Sequence, residues 1–185
     1  MKPLTRCDWA GSAPEYVAYH DEEWGRPLCG VSAMFERLSL EGFQSGLSWL
    51  VILRKRPAFR AAFAGFDPAA VAAFDDADVQ RLMGDAGIVR NRAKIEATIR
   101  NARRVLVLDQ PLDELLWSFA PDPAAHRRPA TLAEVPATSP ESAAMARALK
   151  RHGLRFVGPT TCYALMQAAG LVDDHVAGCW RAAMP

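Results

Sequence analysis

The chain has 185 residues, a formal net charge of +1, 50% hydrophobic residues and 23% charged residues. This length and composition are typical of one globular domain, or of two small lobes that share a core, and the total charge does not require a nucleic-acid partner. No apolar run approaches the roughly 20 residues of a membrane span, and the polar N-terminus lacks the apolar segment of a signal peptide. We therefore expect a cytoplasmic protein without membrane contacts.

The sequence predicts an all-α protein. Alanine is abundant, and the alternating β-branched residues that are typical of strands are scarce. Asp67 and Ser139 each precede a proline, which places an N-cap before a residue that needs no amide donor in the first helical turn. Gly153 and Gly170 follow the ends of predicted helices, where glycine is the preferred residue.

Aromatic and acidic residues are concentrated near the start of the chain. His20 precedes three consecutive carboxylates, and Tyr16, Tyr19 and Trp24 fall within nine residues. Aromatic rings attract cations through their negative faces, so these rings, with Trp49, could form a cage around a flat cationic ligand. Clustered aromatic residues are more often part of a hydrophobic core, and the spacing alone leaves both interpretations open.

Residues 40–50, LEGFQSGLSWL, are predicted to form one amphipathic helix. Its polar face carries Glu41, with Trp49 at the edge, but it has no lysine or arginine. Gly42 and Gly46 are poor choices for an exposed helix, yet they permit close approach to the backbone. The simpler alternative is a solvent-exposed Glu41, but a pocket wall with a carboxylate beside an indole fits the composition better.

A glycine turn followed by a basic helix is predicted between about residues 78 and 104. Asp75 and Asp78 have the spacing of a capping box at the start of a short helix that runs through Met83. Gly87 then lies in the tight turn before the basic helix. This order is typical of a helix–hairpin–helix unit, in which backbone amides and a helix N-terminus bind a phosphate group.

Three cations follow this turn, at Arg90, Arg92 and Lys94. They favour phosphate contact by these side chains and by the backbone at Gly87. The alternative is an ordinary helical hairpin whose basic residues face solvent.

A proline-rich segment, residues 120–140, separates the basic region from the last predicted helices. It contains five prolines and many small residues. This composition predicts an exposed connection rather than a packed element.

Four potential metal ligands lie near the two ends of the chain, at Cys7, His20, His175 and Cys179. The last two are four residues apart and would share one face of a helical turn. Two cysteines and two histidines suit a closed tetrahedral zinc site, which would tie the two ends together. Carboxylates at residues 21–23 could orient the His20 ring. The alternative is a surface histidine and two unrelated thiols.

These motifs together resemble the bacterial family of DNA-3-methyladenine glycosylase I, the constitutive alkylation-repair glycosylases. The matching stretches follow the family's order over nearly the whole chain. They are RCDWA, YVAYHDEEWG, LEGFQSGLSW, FDPAAVAAF, DAGIVRNRAKI, WSF, LKRHGLRFVGPTTCYALMQAAGLVDDH and the pair His175 and Cys179.

The resemblance implies a fold and a set of functional residues. The implied fold is the helix–hairpin–helix glycosylase fold, with residues 1–185 as one helical domain whose two lobes flank a pocket. One structural zinc ion would join the N-terminal and C-terminal segments through Cys7, His20, His175 and Cys179. Glu41 matches the carboxylate that recognises the base. The other assigned positions are Tyr16, Tyr19 and Trp49, which would contact the base, and Gly46 and Leu47, which would fill the gap in the duplex.

The implied activity is that of a monofunctional, monomeric enzyme, which flips 3-methyladenine out of alkylated double-stranded DNA and hydrolyses its N-glycosidic bond. One alternative is a non-enzymatic zinc-containing DNA-binding module, which would not need Glu41. The other is a zinc-dependent hydrolase, which four protein ligands disfavour because they leave the metal no open position.

Three positions depart from the family pattern as we know it. Phe43 replaces a glutamine, Asn91 replaces a histidine, and Val89 stands where a typical hairpin has its second glycine. From the sequence alone, Val89 predicts a grip on the phosphate backbone that differs from that of other members of the superfamily.

Overall fold

The structure, a computed structural model, describes residues 4–124 and 126–183. Within these ranges there are nine α-helices and no strand, which confirms the all-α prediction. None of these helices is long and apolar enough to cross a membrane. The helices are α1 (Pro14–Glu22), α2 (Val31–Gln44), α3 (Trp49–Ala62), α4 (Pro68–Ala72), α5 (Asp76–Gly84), α6 (Arg92–Val105), α7 (Leu112–Trp117), α8 (Pro140–Arg151) and α9 (Pro159–Ala168).

The predicted helix ends are confirmed by their capping contacts. Oδ1 of Asp67 accepts two backbone amides of α4, at 2.7 and 3.1 Å. Complete capping boxes begin α5, with Asp75 as the N-cap, and α8, with Ser139 as the N-cap. Gly153 and Gly170 follow α8 and α9 with φ angles of 85° and 75°, a left-handed conformation that glycine adopts without steric cost.

The prediction of one helix over residues 40–50 is wrong. Helix α2 ends at Gln44, and α3 begins at Trp49 after a short connection, residues 45–48, which we call the wedge loop. Gly46 has a φ of 83°, which interrupts the helix. As a result, Leu47 is 40% exposed instead of lying on a buried apolar face.

Helix α2 runs through the main hydrophobic core. Nine of its 14 residues are buried, and it packs against α9, α7, α3 and α6. The ring of Phe43 lies 4.7 Å from that of Phe59 and 5.8 Å from that of Phe63. Burial of each such ring stabilises the folded state by roughly 1.5–3 kcal/mol. Phe43, one of the departures from the family pattern, therefore contributes to core packing.

A smaller aromatic cluster surrounds α1, where the two ends of the chain meet. Tyr19, Trp24, Cys7 and Cys179 are buried in it, and further aromatic rings pack against them. The amide of Trp180 donates to the carbonyl of Thr5 at 2.9 Å, which pairs the first and last parts of the chain directly. This cluster brings the predicted metal ligands and the predicted pocket residues into one region.

Candidate active site and metal centre

The structure brings the four predicted metal ligands together. Cys7, His20, His175 and Cys179 are all buried, and their potential ligand atoms lie within 4.8 Å of one another. Sγ of Cys179 lies 3.3 Å from Nε2 of His20 and 3.6 Å from Nδ1 of His175, while Sγ of Cys7 lies 3.7 Å from the same Nδ1. The pair from the N-terminal part of the chain and the pair from the C-terminal part thus form a single group.

Each histidine of this group is oriented through its other ring nitrogen. Nδ1 of His20 lies 2.8 Å from Oδ1 of Asp21, and Nε2 of His175 lies 3.2 Å from the carbonyl oxygen of Trp24. Asp21 is fixed in turn by a bidentate contact with Arg6, which holds the pKa of its carboxyl well below the usual range. Such partners select the tautomer and ring orientation of metal-binding histidines.

The predicted orienting role holds for Asp21 but not for its two neighbours. Glu22 is exposed, and Glu23 forms two hydrogen bonds of 2.6 Å with Arg56.

The donor set fits a metal ion. A tetrahedral ion with ligand distances of about 2.0–2.3 Å places its ligand atoms about 3.3–3.8 Å apart, close to the contacts above. Burial raises the pKa of the Cys7 thiol to about 12 and lowers that of His175 to about 4. The histidine is therefore neutral, as a ligand must be, while a bound cation would stabilise the thiolate form of Cys7.

A cavity of about 290 Å³ lies next to this group. Its volume is near the lower end for small-molecule sites, which matches a single flat ring system. All four residues predicted for the base pocket line it: Tyr16, Tyr19, Glu41 and Trp49.

Glu41 is the acidic group that α2 contributes to the cavity. Its side chain is buried, and among the described residues no hydrogen-bond donor contacts its carboxylate. Burial raises the pKa of Glu41 to about 7, against a smaller opposing effect of the Arg37 guanidinium. A buried carboxylate without a donor in a cavity indicates a place where a ligand supplies the missing partner.

Arg37 contacts the candidate site, and the sequence motifs did not single it out. It is 7% exposed and lies one helical turn before Glu41 on α2. Its Nη1 donates to the hydroxyl of Tyr19 at 2.8 Å, and its guanidinium lies 5.2 Å from the centroid of the Tyr19 ring. The i, i+4 spacing from Glu41 is the sequence signal that could have found it.

The two predicted stacking residues contact each other in this structure. The ring centroids of Tyr19 and Trp49 are 5.5 Å apart, and the rings are tilted by 49°. Stacking distances of about 3.5 Å on each face require about 7 Å between parallel rings, so a base enters between them only if one ring moves. Tyr19 is held by Arg37, whereas Trp49 is half-buried at the start of α3, and its buried Nε1 has no hydrogen-bond partner among the described residues.

The predicted phosphate-binding turn connects α5 to α6, and Arg90 and Arg92 are exposed there. A Cβ at Gly87 would lie 2.9 Å from Cβ of Ala58 on α3, so glycine permits this close packing. The Gly87 amide itself donates to Oδ1 of Asp85, at 2.7 Å. The Gly87 amide is therefore already engaged within the protein, whereas the guanidinium groups of Arg90 and Arg92 are exposed.

Lys94 does not lie where a phosphate contact requires it. Its side chain is buried, and Nζ donates to the carbonyl oxygens of Phe43 and Ser45, each at 2.8 Å. Since both acceptors belong to the end of α2 and the wedge loop, the expectation that Lys94 binds the DNA backbone is corrected.

Comparisons with known proteins agree with this geometry. The model of the methyladenine glycosylase family matches residues 9–182. The chain belongs to the methyladenine glycosylase family. The resemblance predicted from the motifs is confirmed.

Relatives with established names support the same assignment. DNA-3-methyladenine glycosylase 1 of Escherichia coli K12 is 48% identical over 179 residues, which cover 95% of this chain and 96% of the relative. A crystal structure of a 3-methyladenine DNA glycosylase I superposes with a TM-score of 0.91, at 44% identity over 98% of this chain and all of the other. A variant of another such glycosylase, solved in complex with 3-methyladenine, has a TM-score of 0.89 and 33% identity, over 95% and 96% of the two chains.

Two departures of this chain from its family pattern have structural explanations in the hairpin. Asn91 is the N-cap of α6, where its Oδ1 accepts the amide of Lys94 at 3.1 Å. Val89 is half-buried and packs against the main core. Both residues stabilise the start of α6 rather than leave the turn loose.

The proline-rich segment is not merely an exposed connection. Leu132 and Val135 line the cavity, and the carbonyl of Pro129 accepts the amide of Ala177 at 3.0 Å. Trp9 also lines the cavity, with its ring 5.0 Å from that of Trp24. Sequence spacing gives no signal for these contacts, because they join segments far apart in the chain.

Proposed function

We propose that this protein excises 3-methyladenine from alkylated double-stranded DNA by hydrolysing the N-glycosidic bond. The observation that carries the proposal is the buried carboxylate of Glu41, which faces an aromatic cavity and accepts no hydrogen bond from the described residues. The names of the relatives support it, as does a relative's complex with 3-methyladenine.

Glu41 would recognise the base through charge and hydrogen bonding. Methylation at N3 gives the nucleotide a positive charge, which ordinary adenine lacks. The carboxylate complements that charge and accepts hydrogen bonds from the adenine edge, while the faces of Tyr19 and Trp49 attract the same cation. Tyr16 would fix the site, since its hydroxyl accepts the amide of Leu50 and so links α1 to the start of α3.

The nucleotide must first leave the duplex, which costs a few kcal/mol of unstacking and is easiest for a damaged base. Leu47, exposed next to Gly46 in the wedge loop, would fill the vacated space and offset part of this cost. Helices α5 and α6 would act as a helix–hairpin–helix unit, in which Arg90 and Arg92 hold phosphates on either side of the extruded nucleotide.

The bond then breaks with little help from an acid. Water attacks the sugar carbon, the bonding electron pair goes to the ring nitrogen and neutralises the cationic base, and the proton released from water passes to solvent. Among the described residues no lysine lines the cavity, so none of them is placed to form a Schiff base with the sugar, and the activity would be monofunctional.

We infer that the metal is one zinc ion held by Cys7, His20, His175 and Cys179. This donor set is typical of closed structural zinc sites. When bound, zinc would supply thermodynamic stability and no open coordination position for water. The helix–hairpin–helix glycosylase fold, the single domain of two lobes, the monomeric state and the cytoplasmic location remain predictions.

The test is release of free base from duplex DNA treated with a methylating agent, resolved by chromatography. The expected result is release of 3-methyladenine while 7-methylguanine stays in the DNA. The Glu41→Gln variant is the matched control, because it keeps the shape of the side chain and removes its charge.

Two other outcomes would contradict the proposal. Zinc-loaded wild-type protein that binds methylated duplex but releases no base would support the alternative of a DNA-binding module. Equal release of 3-methyladenine by the wild type and by Glu41→Gln would show that the pocket assignment is wrong.

A further inference from the structure

Lys94 occupies an unusual position at the start of α6. It follows the exposed turn that carries Arg90 and Arg92, yet its side chain points inward and is 8% exposed. Its ammonium group is 2.8 Å from the carbonyl oxygen of Phe43 and 2.8 Å from that of Ser45. The cation therefore joins two segments, α6 and the end of α2.

The two acceptors explain why a buried ammonium is tolerated. The last carbonyls of an α-helix lack amide donors within the helix, and the helix dipole makes this end negative. Hydrogen bonds from a charged donor to such carbonyls are stronger than neutral ones. Desolvation lowers the pKa of Lys94, which shows that burial of the charged ammonium is unfavourable. The two hydrogen bonds offset part of this desolvation cost.

The backbone of Lys94 is fixed as well as its side chain. Its amide donates to Oδ1 of Asn91, and its carbonyl accepts the hydroxyl of Thr98 at 2.9 Å. The ammonium is thus mounted on a rigid helical turn. Motion of α6 against the wedge loop requires the Nζ contact with Ser45 to break, and motion against the end of α2 requires the contact with Phe43 to break.

We propose that Lys94 is a positioning residue that fixes the wedge loop relative to the phosphate-binding turn, and so couples binding of the DNA backbone to extrusion of the base. This inference rests on the proposed function. Ser45, one of its acceptors, directly precedes Gly46 and Leu47. The other acceptor, Phe43, lies on the same helix as Glu41. A single cation therefore links the phosphate-binding turn, the wedge loop and the base pocket.

A direct phosphate contact is the main competing role, and the salt dependence of DNA binding separates the two. Each phosphate neutralised by a protein cation contributes about 0.9 to the slope of log K against log salt. With a duplex that contains a stable abasic-site analogue, Lys94→Met should leave this slope unchanged, whereas Arg92→Gln should reduce it by about 1.

The functional consequence is measured by single-turnover release of 3-methyladenine from methylated duplex. We expect Lys94→Met to slow release about 30-fold, because two hydrogen bonds from a charged donor are lost. Binding of free 3-methyladenine, followed by tryptophan fluorescence, should stay within about twofold of the wild type, because the cavity itself is intact. The matched control is Lys150→Met, which changes an exposed lysine on α8 and should behave as the wild type.

A double variant tests the coupling itself. If Lys94 acts through the wedge loop, adding Lys94→Met to Leu47→Ala should cost much less than it costs in the wild type. If Lys94→Met does not fold, as judged by circular dichroism, Lys94→Gln is measured against the same expectations.

Several results would overturn the inference. A salt slope reduced by about 1 in Lys94→Met would mean that Lys94 contacts phosphate. Release at the wild-type rate, or equal losses of base release and free-base binding, would exclude coupling through the wedge loop. Absence of base release by the wild type would instead refute the proposed function, and this inference with it.

Discussion

The metal-ligand group and the base pocket are both buried and both use α1, but their polar groups are satisfied in opposite ways. His20 contacts Asp21 through one nitrogen and faces the metal-ligand group with the other. Its neighbour Tyr19 lines the cavity where the Glu41 carboxylate has no donor among the described residues. A site whose polar groups all have partners within the protein suits a structural role. A site with a buried polar group that lacks a hydrogen-bond partner suits a ligand that binds and dissociates.

The largest effect that this contrast predicts is at Glu41. Substitution by alanine should lower 3-methyladenine release about 100-fold, the upper end for loss of hydrogen bonds to a charged group. The melting temperature should not fall, because the variant removes a buried charge that has no donor. Single-turnover release and thermal unfolding at pH 8 test both expectations, and a destabilised, demetallated variant would contradict them.

The opposite result is expected at the metal-ligand group. Cys179→Ser should lose bound zinc and destabilise the protein by roughly 4 kcal/mol, which lowers the melting temperature by about 8–16 °C for a chain of this size. Zinc content by elemental analysis and a thermal scan measure these changes. Cys29→Ser is the control, since Cys29 is exposed and lies outside the group; an unchanged zinc content in Cys179→Ser would refute the site.

The pH dependence of base release sharpens the comparison further. The pKa of Glu41 is raised to about 7 in the free protein, so acid converts the carboxylate to its neutral form below that pH. The charge of the methylated nucleotide does not change with pH in this range. We therefore expect kcat/KM to fall toward tenfold per unit below about pH 7, and Glu41→Gln to show a flat profile. The same slope in both proteins would assign the titration to another group.

The smallest effect is expected at Arg37. Arg37→Met removes the donor to the Tyr19 hydroxyl, and we expect release about fivefold slower with zinc retained. Because the guanidinium lowers the pKa of Glu41, the acid limb of the profile should also shift to higher pH. Arg147→Met, on the exposed side of α8, is the control that should change neither the rate nor the profile.

Local patterns in the sequence were sufficient for much of the fold. Asp67, Asp75 and Ser139 mark helix starts because the capping contact involves residues two or three positions away. The grouping of Cys7, His20, His175 and Cys179 and the place of Glu41 in the cavity also agree with the sequence prediction, because unusual residue types stand at the positions that the family motifs require.

Long-range packing decided what the sequence left out or predicted incorrectly. The composition of the basic helix gave no indication that Lys94 turns inward, because its acceptors lie some 50 residues earlier in the chain. Residues 40–50 have a helical pattern, yet the left-handed Gly46 divides them. Leu132 and Val135 line the cavity, and the segment that carries them is joined to the C-terminal part of the chain by the hydrogen bond from the Ala177 amide to the Pro129 carbonyl.

The pairing of the two chain ends has a consequence for how the protein is made. Cys7 and His20 leave the ribosome early, but the partners of their buried atoms, His175 and Cys179, lie 159 to 168 residues later. Until translation has passed residue 179, the group of four potential ligands is incomplete, and α1 has its contacts with α2 and α3, such as those of Tyr16 and Tyr19. The link between the two segments therefore forms late in synthesis, after α1 and most of the residues that line the cavity have left the ribosome.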